Sequence, residues 1–456
     1  MASGHMILSA FFFNPQGDHR LSWRHPCSPR AEIFDLDYYR ELARVAENAK
    51  LDTIFVADHV AIWDSVKSGV AHYANARLEP LTILSALSAV TQHIGLVATA
   101  STSYYEPFNL ARLFASLDHL SKGRAAWNVV TSAMDEEALN FGRDGTIEHA
   151  HRYERAAEFI DAATALWDSW EDEAILFDKA SGRFANPERV HRIDHAGEHF
   201  RVRGPLNVPR PPQGHPVIFQ AGSSESGRNL VAAHVDVQFA IIRSIEEGLL
   251  YRKDMNERLA RHGRSPDSLK ILPGILPIVA ASAAEAAEKQ EILESLMLDN
   301  LAIDLLSDGT GLDLSAEPPD GLLPELPDER TFNGVRSTLN KVRGLASQHH
   351  SIRQIARKLA NTGAVPIVAG TPAEIADQLE AWFVSGAADG YNLMFPVLPE
   401  DWTNFATQVV PELQRRGLFR TEYEPGTLRE RLGLARPANR FAAARDESRA
   451  VPEHRY

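Results

Sequence analysis

The sequence is almost without cysteine: Cys27 is the only one. A single thiol excludes an intrachain disulfide and any zinc or iron–sulfur site built on several cysteines. It suits a reducing cytoplasm, which is the expected location. No run of about 18 apolar residues is present, so no membrane-spanning helix is expected. Basic residues are outnumbered, 47 Lys and Arg against 61 Asp and Glu, for a formal charge of −14. A surface of that sign repels phosphate backbones and anionic lipids, which argues against nucleic-acid and membrane partners. The opening Met1-Ala-Ser-Gly-His5 reads as a leader left by cloning in front of a native Met6. It is set aside from fold reasoning.

What the sequence does hold is a regular alternation of short apolar runs and amphipathic stretches. Strands are expected at Ile7–Phe13, Thr53–Ala57, Ile94–Ala100, Ala125–Thr131, Val217–Ala221, Val237–Ile242, Ile271–Val279 and Tyr391–Val397. Near-continuous apolar runs of this length are the signature of buried parallel strands. Helices are expected between them, at Asp37–Lys50, Pro80–His93, Pro107–Leu120, near Tyr153–Trp170 and from Ser224. The last unit is signposted by Thr371-Pro372-Ala373-Glu374, an N-cap Thr with Pro at N1 and Glu at N3, opening a helix to Ser385. A closing helix is expected at Trp402–Arg416. Eight strand–helix units in 456 residues favour one closed α/β (TIM) barrel, with an open doubly wound sheet as the alternative.

Two stretches interrupt the repeat, after strands four and seven. Residues 171–215 are rich in Pro, His and Gly and suit a small hairpin excursion. Residues 282–366 hold helical stretches near Ala284–Leu306 and Phe332–Asn361, separated by a Gly/Pro/Asp segment, Asp308–Gly334. So long an insertion in a compact domain suggests function. A lid over the barrel mouth and a peripheral surface loop are both open. The barrel is expected to span residues 6–434. The Ala/Arg-rich tail, 435–456, is expected to be disordered or to wrap a neighbouring subunit.

In a TIM barrel the active site lies at the C-terminal ends of the strands. Those ends carry Asp58 and His59 after strand two, Thr99 in strand three, Asn128 in strand four, and Gly222-Ser223-Ser224-Glu225-Ser226-Gly227 after strand five. Free N–H groups at a helix start, beside short hydroxyls, suit a phosphate monoester; an ordinary Ser N-cap is the alternative. His149 and Tyr153 lie four apart, on one face of a helix. They suit either a shared ligand or ordinary capping and core roles. His25 and His59, beyond strands one and two, are the candidates for proton transfer, against structural or solvated roles. The evenly spaced His191, His195 and His199 fall in a strand-and-turn stretch, so no metal site is expected. Gly309-Thr310-Gly311 lacks the third glycine and the preceding strand of a dinucleotide fingerprint, so no NAD(P)H site is expected either.

Several longer motifs are more specific. Arg124-Ala-Ala-Trp-Asn-Val-Val-Thr-Ser132, the following Asn140-Phe-Gly142 and His149-x-x-x-Tyr153 resemble the nitrilotriacetate and dibenzothiophene sulfone monooxygenase branch of the bacterial luciferase superfamily. Leu117–Arg124, Gly204–Arg210, Gln220-Ala-Gly222, Gly386–Gly390 and Val410–Gln414 fit the same pattern, and the likeness runs from about Met6 to Leu434. The resemblance implies a TIM barrel of the bacterial luciferase type. It places FMN contacts on Asp58, Thr99, His149, Tyr153 and Ser224, with Ser223 beside the phosphate; Asn128 is added from its place at a strand end. It further implies reduced FMN supplied by diffusion from a separate NAD(P)H:FMN reductase, O2 as co-substrate, and a flavin C4a-hydroperoxide that oxygenates a small organic molecule. Hydroxylation or oxidative C–N or C–S cleavage would result, in a homo-oligomeric enzyme. A deazaflavin-dependent dehydrogenase on the same fold and a catalytically silent flavin-binding protein are the rival functions. The match weakens at His59–Glu79 and Asp308–Gly334, the stretches expected to face substrate.

Overall fold

A computed structural model describes residues 4–64, 68–328, 336–361 and 365–443. The eight expected strands form: β1 (Ile7–Phe12), β2 (Thr53–Val56), β3 (Gly95–Ser101), β4 (Ala125–Val130), β5 (Val217–Gln220), β6 (Val237–Ala240), β7 (Lys270–Val279) and β8 (Gly390–Met394). Each pairs in parallel with the next, and β1 closes on β8 through the register Ile7↔Gly390 to Phe11↔Met394. The result is a closed eight-stranded barrel. Closure satisfies every strand edge, which an open sheet would leave unpaired.

Helices α1 (Leu36–Asn48), α2 (Pro80–Ser88), α3 (Pro107–Leu120), α4 (His149–Asp168), α5 (Glu225–His234) and α6 (Ile245–Arg261) follow the first six strands. Each turns an apolar face onto the outside of the barrel. There Leu8, Ile54, Leu96 and Trp127 meet Leu42, Leu84, Phe114 and Phe159 in the main core.

The barrel interior is a separate layer. Residues at one parity of the strands point inward: Phe11, Phe55, Val97, Ala126, Phe219, Val237 and Leu272 are buried there together. Phe11 meets Phe55 edge-on at 5.0 Å and Phe239 at 5.6 Å, and Phe55 meets Phe219 at 5.7 Å. From below, at the N-terminal ends of the strands, Leu428, Leu432 and Leu434 plug this layer. One crossing needs glycine: Gly17, at φ +122°, lies where a Cβ would strike the Pro396 carbonyl oxygen at 2.2 Å. This is where the loop after β1 runs under the exit of β8.

The hairpin excursion between α4 and β5 forms as two short antiparallel pairs, Ile175–Asp178 with Arg183–Ala185 and His195–Ala196 with Arg201–Val202. It is pinned where Arg210 donates to Asp168 and Asp172. Residues 435–443 of the tail pack on the chain itself. Arg436 pairs with Asp172, and Asn439 donates to the carbonyls of Asp168 and Trp170. Residues 444–456 lie outside the described residues, as do Met1–Ser3 of the supposed leader.

The second insertion carries four helices where two stretches are expected. They are α7 (Ala283–Leu296), α8 (Asp299–Thr310), α9 (Arg336–Ala346) and α10 (Ile352–Asn361). The break at Met297–Leu298 lets α8 fold back. Leu301, Leu305, Val342, Ile352 and Ile355 then make a small core of their own. Part of the segment between α8 and α9, residues 329–335, lies outside the described residues. A further strand, Ile367–Gly370, pairs with the upper half of β7 before the capped helix α11 (Pro372–Ser385) begins. The closing helix forms over Glu400–Arg415. It widens to a π turn at Phe405–Val409, ahead of Pro411, whose ring cannot join a regular ladder.

The turn from α3 to β4 is held by a buried arginine. Arg124 donates to the carbonyls of Ser88, Thr91, Ile94 and Ser121 and to the Thr91 hydroxyl, at 2.7–3.1 Å. It thus satisfies carbonyls at and beyond the end of α2 that have no helical partner. Arg124→Met leaves those carbonyls dry and unpaired. It is expected to cost about 3 kcal/mol of unfolding free energy, read from the midpoint of urea denaturation. An unchanged midpoint would show that the network is dispensable.

Candidate active site

The inward parity of the strands selects the groups above the phenylalanine layer. Val97 and Ala126 belong to that layer. Thr99 and Asn128, two residues further along, therefore point the same way. They are register partners on β3 and β4, and the Asn128 amide donates to the Thr99 hydroxyl at 2.9 Å. Both are buried. The other end of the amide, Oδ1 of Asn128, is buried without a partner among the described residues. A buried acceptor left open in this way costs free energy unless a ligand donates to it.

A second group meets at the exit of β5. His149 and Tyr153 occupy the first turns of α4 with ring centroids 4.9 Å apart. At Gly222 a Cβ would lie 3.0 Å from the Tyr153 hydroxyl and still closer to the Gln220 amide. Only a glycine lets the turn run this close to both. The turn continues to Ser224, which caps α5 by accepting from the Gly227 N–H at 3.1 Å. The ordinary N-cap role is thus realised. It uses a lone pair of the hydroxyl and leaves its proton free to donate. Ser223 beside it is exposed. The turn presents hydroxyls and helix-start N–H groups next to Tyr153, a set of donors suited to a phosphate.

A third group lines the exit of β2. Asp58 follows the strand directly, and burial pushes its carboxyl up to about 6, against the lowering effect of nearby Arg77. His59 is exposed; its Nδ1 lies 3.5 Å from Oε1 of Glu137 and its ring is edge-on to Phe13 at 5.0 Å. Glu137 was not anticipated. Nearly fully buried, it accepts from the N–H groups of Val60 and Met134 and from the Ser132 hydroxyl. Burial opposes its ionisation, but the bonds from His59 and these N–H groups hold its carboxyl below the usual range. It joins the exits of β2 and β4. In the sequence it is the last of three acids in Asp135-Glu-Glu137, and such a run reads simply as first-turn helix acids.

His25 belongs to a further cluster at the barrel loops. Its side chain gathers with Cys27 and Glu400, ligand atoms within 4.8 Å of one another, on the loops after β1 and β8. A hydrogen bond to Glu400 pushes the exposed Cys27 thiol up, holding its proton. His191, His195 and His199 do not converge on one point. His191 bonds Glu171 at 2.9 Å, His195 bonds Glu158 at 3.0 Å, and only the backbone of His199 reaches Glu158.

A parallel barrel with a phosphate-type turn after β5 and inward polar groups above a dry floor is the architecture of a nucleotide-cofactor enzyme. Comparison with known proteins sharpens this. Residues 17–389 match the model of the luciferase-like monooxygenase family. Component A of nitrilotriacetate monooxygenase from Aminobacter aminovorans is 47% identical over 97% of this chain and 99% of its own. Among solved structures, EDTA monooxygenase from Chelativorans sp. BNC1 superposes with a TM-score of 0.79. It is 33% identical, over 95% of this chain and 99% of its own. A riboflavin lyase, solved with modified FMN and riboflavin, gives 0.83 at 32% identity, over 95% and 96% of the two chains. The chain belongs to the luciferase-like monooxygenase family, and with it to the flavin-dependent monooxygenases.

The raised carboxyl of Asp58 has a consequence for stability. Between about pH 4 and pH 6 the folded chain keeps a proton there that the unfolded chain has released. Its contribution to stability is therefore full below pH 4 and is lost as pH rises through 6. Asp58→Asn removes this dependence. The melting temperature of the variant should rise relative to wild type from pH 4 to pH 6, with a constant difference above pH 7. Parallel melting curves across that range would contradict the assignment.

Proposed function

We propose that this chain is the oxygenase component of a two-component system. It binds FMN, receives it reduced from a separate NAD(P)H:FMN reductase by diffusion, and uses O2 to place one oxygen atom on a small organic substrate. The outcome is hydroxylation or oxidative C–N or C–S cleavage. The observation that carries this reading is the meeting of the Tyr153 hydroxyl with the Gly222 turn, beside the inward Thr99–Asn128 pair.

These residues fit the cofactor. Ser224, with its free hydroxyl proton, and the N–H groups at the start of α5 would hold the phosphate, with Ser223 and Tyr153 beside it. His149, Thr99, Asn128 and Asp58 would orient the ring, the unpartnered Oδ1 of Asn128 taking a ring donor. The bound reduced flavin supplies the electrons that activate dioxygen. The protein supplies placement and dryness. Below, the phenylalanine layer and its leucine plug keep water out of the barrel. Above, α7–α10 dock on the loops after β1 and β2. Leu21 and Trp63 join their core, Asp304 accepts from the Ser68 N–H, and Asn300 bonds His72. We read this insertion as the lid.

The geometry of the second Gly-rich stretch supports a separate reductase. Gly309 and Gly311 fall at the C-terminal end of α8, where Gly311 takes the left-handed cap at φ +70°. That is the negative end of a helix, which repels a pyrophosphate. The Gly-rich turn at the mouth, Gly222–Gly227, is taken by FMN in this reading.

Two outcomes are expected. Ser224→Ala should raise the dissociation constant of FMN about tenfold while changing that of riboflavin about twofold or less, since only FMN carries the phosphate. Equal losses, measured by fluorescence titration, would remove Ser224 from the phosphate site. Second, the protein with FMN, NADH or NADPH, and oxygen should oxidise no nicotinamide until an unrelated flavin reductase is added. Sustained oxidation without a reductase would overturn the two-component reading.

A further inference from the structure

Arg77 is a half-buried cation at the mouth that forms no ion pair among the described residues, though Asp58 acts on it from a distance. Its guanidinium lies over the Phe13 ring, 3.9 Å from the centroid. Phe13 is the first residue beyond β1, so Arg77 is held at the rim, on the side of β1 and β2. Its Nη1 is buried and has no hydrogen-bond partner among the described residues, and no carboxylate among them lies within ion-pair distance of it. Asp58 is the nearest acid to act on it electrostatically, and Tyr73 lies close by. The neighbouring Asn14 donates to the Tyr73 hydroxyl while its own Oδ1 is also buried and unpartnered.

Such an arrangement is costly. A guanidinium partly withdrawn from water without an ion-pair partner loses hydration that a cation–π contact only partly returns. A fold that merely needed to fill this space would gain by placing an apolar side chain there. A guanidinium is, however, the side chain best matched to a planar two-oxygen anion, which it binds through paired N–H donors. The phosphate-type turn lies elsewhere on the mouth, after β5, three strands from β2. The flavin phosphate is therefore provided for without Arg77.

We propose that Arg77 is the anchor for a carboxylate of the substrate, with Phe13 as the platform that fixes its plane. This inference rests on reading the mouth as an oxygenase site. It narrows the substrate class to small organic acids, held by the acid group at the β1–β2 side while the rest of the molecule extends toward the cofactor. His59 also meets the Phe13 ring, edge-on at 5.0 Å. Neutral molecules of similar shape would leave the guanidinium dry and unpaired and would be rejected for that reason.

The test uses the full chain loaded with oxidised FMN, at fixed ionic strength. Acetate, succinate, iminodiacetate and phenylacetate are compared with their methyl esters by thermal shift and by calorimetric titration. At least one of the acids should bind, and about thirtyfold more tightly than its ester. Arg77→Met should remove that binding by a similar factor, Arg77→Lys should restore part of it, and the affinity for FMN should stay within about twofold. Without ligand, Arg77→Met should melt no lower than wild type, because a half-buried charge with an unpartnered Nη1 has been replaced by an apolar chain; a structural arginine would show the opposite. Four results would overturn the proposal. They are no acid binding above a chloride control, acids and esters binding alike, binding that survives Arg77→Met, or a loss of FMN affinity in its place. If acids bind through Arg77 but no product forms with a reductase present, the proposed oxygenase activity fails and the anchor stands.

Discussion

Phe11, Phe55, Phe219 and Phe239 meet across the barrel axis, and the position of every functional group above them follows from that contact. A parallel eight-stranded barrel has room inside for side chains and must fill it. Filling the lower part with aromatic rings and the Leu428–Leu434 plug removes water from below. It leaves one end where polar residues can face a ligand. Thr99 and Asn128 are inward-facing for the same reason Val97 and Ala126 are. The strand period of two places a polar pair immediately above an apolar pair on the same strands. The helices then bring the remaining groups to this height. Helix α4 delivers Tyr153 to the Gly222 turn, and the cap at the start of α5 opens its N–H groups toward the same place.

The mouth divides chemically. On the β4–β5 side, donors without net charge gather around a phosphate-type turn. On the β1–β2 side, charges are set in a partly buried ring of Phe13, Asp58, His59, Glu137 and Arg77. Glu137 is the only one of these with a full set of bonds, and it ties the two sides together by accepting from Val60 on one and from Ser132 and Met134 on the other. Such a division suits a site that must hold one large molecule reproducibly and discriminate among small ones. The uncharged side provides shape and the charged side provides selection.

All eight strands were readable because each is buried on both faces and so spells an unbroken apolar run. The capped helix at Thr371 was equally plain, since its four-residue signature is local. What escaped was whatever depends on a distant partner. Ile367–Gly370 is a strand only because β7 runs long enough to pair with it. The helix break at Met297–Leu298 falls inside a continuous apolar pattern and is made by folding back onto a private core. The tail is Ala- and Arg-rich, which reads as loose. Yet Arg436 and Asn439 find Asp172, Asp168 and Trp170, 264 to 271 residues earlier. Of the site residues, those on strand ends were legible because the C-terminal ends of barrel strands mark the mouth. Glu137 and Arg77 were missed because each sits in a connection, where no period marks the inward direction. His25 was marked by its nearness to a strand end, and the loop after β1 sets it beside Cys27 and Glu400.

The plug at the bottom of the barrel also dictates the order in which the molecule can be completed. β1 takes its second partner only at Gly390–Met394, and the floor is sealed only by Leu428, Leu432 and Leu434, which pack beside Phe55 and Val97. A ribosome making this chain therefore releases Phe11 and Phe55 long before anything exists to cover them. For most of synthesis the future interior is an open, aromatic, edge-exposed sheet, the kind of surface that associates with its own copies. Production of the active protein is thus governed by how well that half-built barrel is shielded while the last strands emerge, by a slower ribosome, a cooler culture or a chaperone that holds apolar sheet.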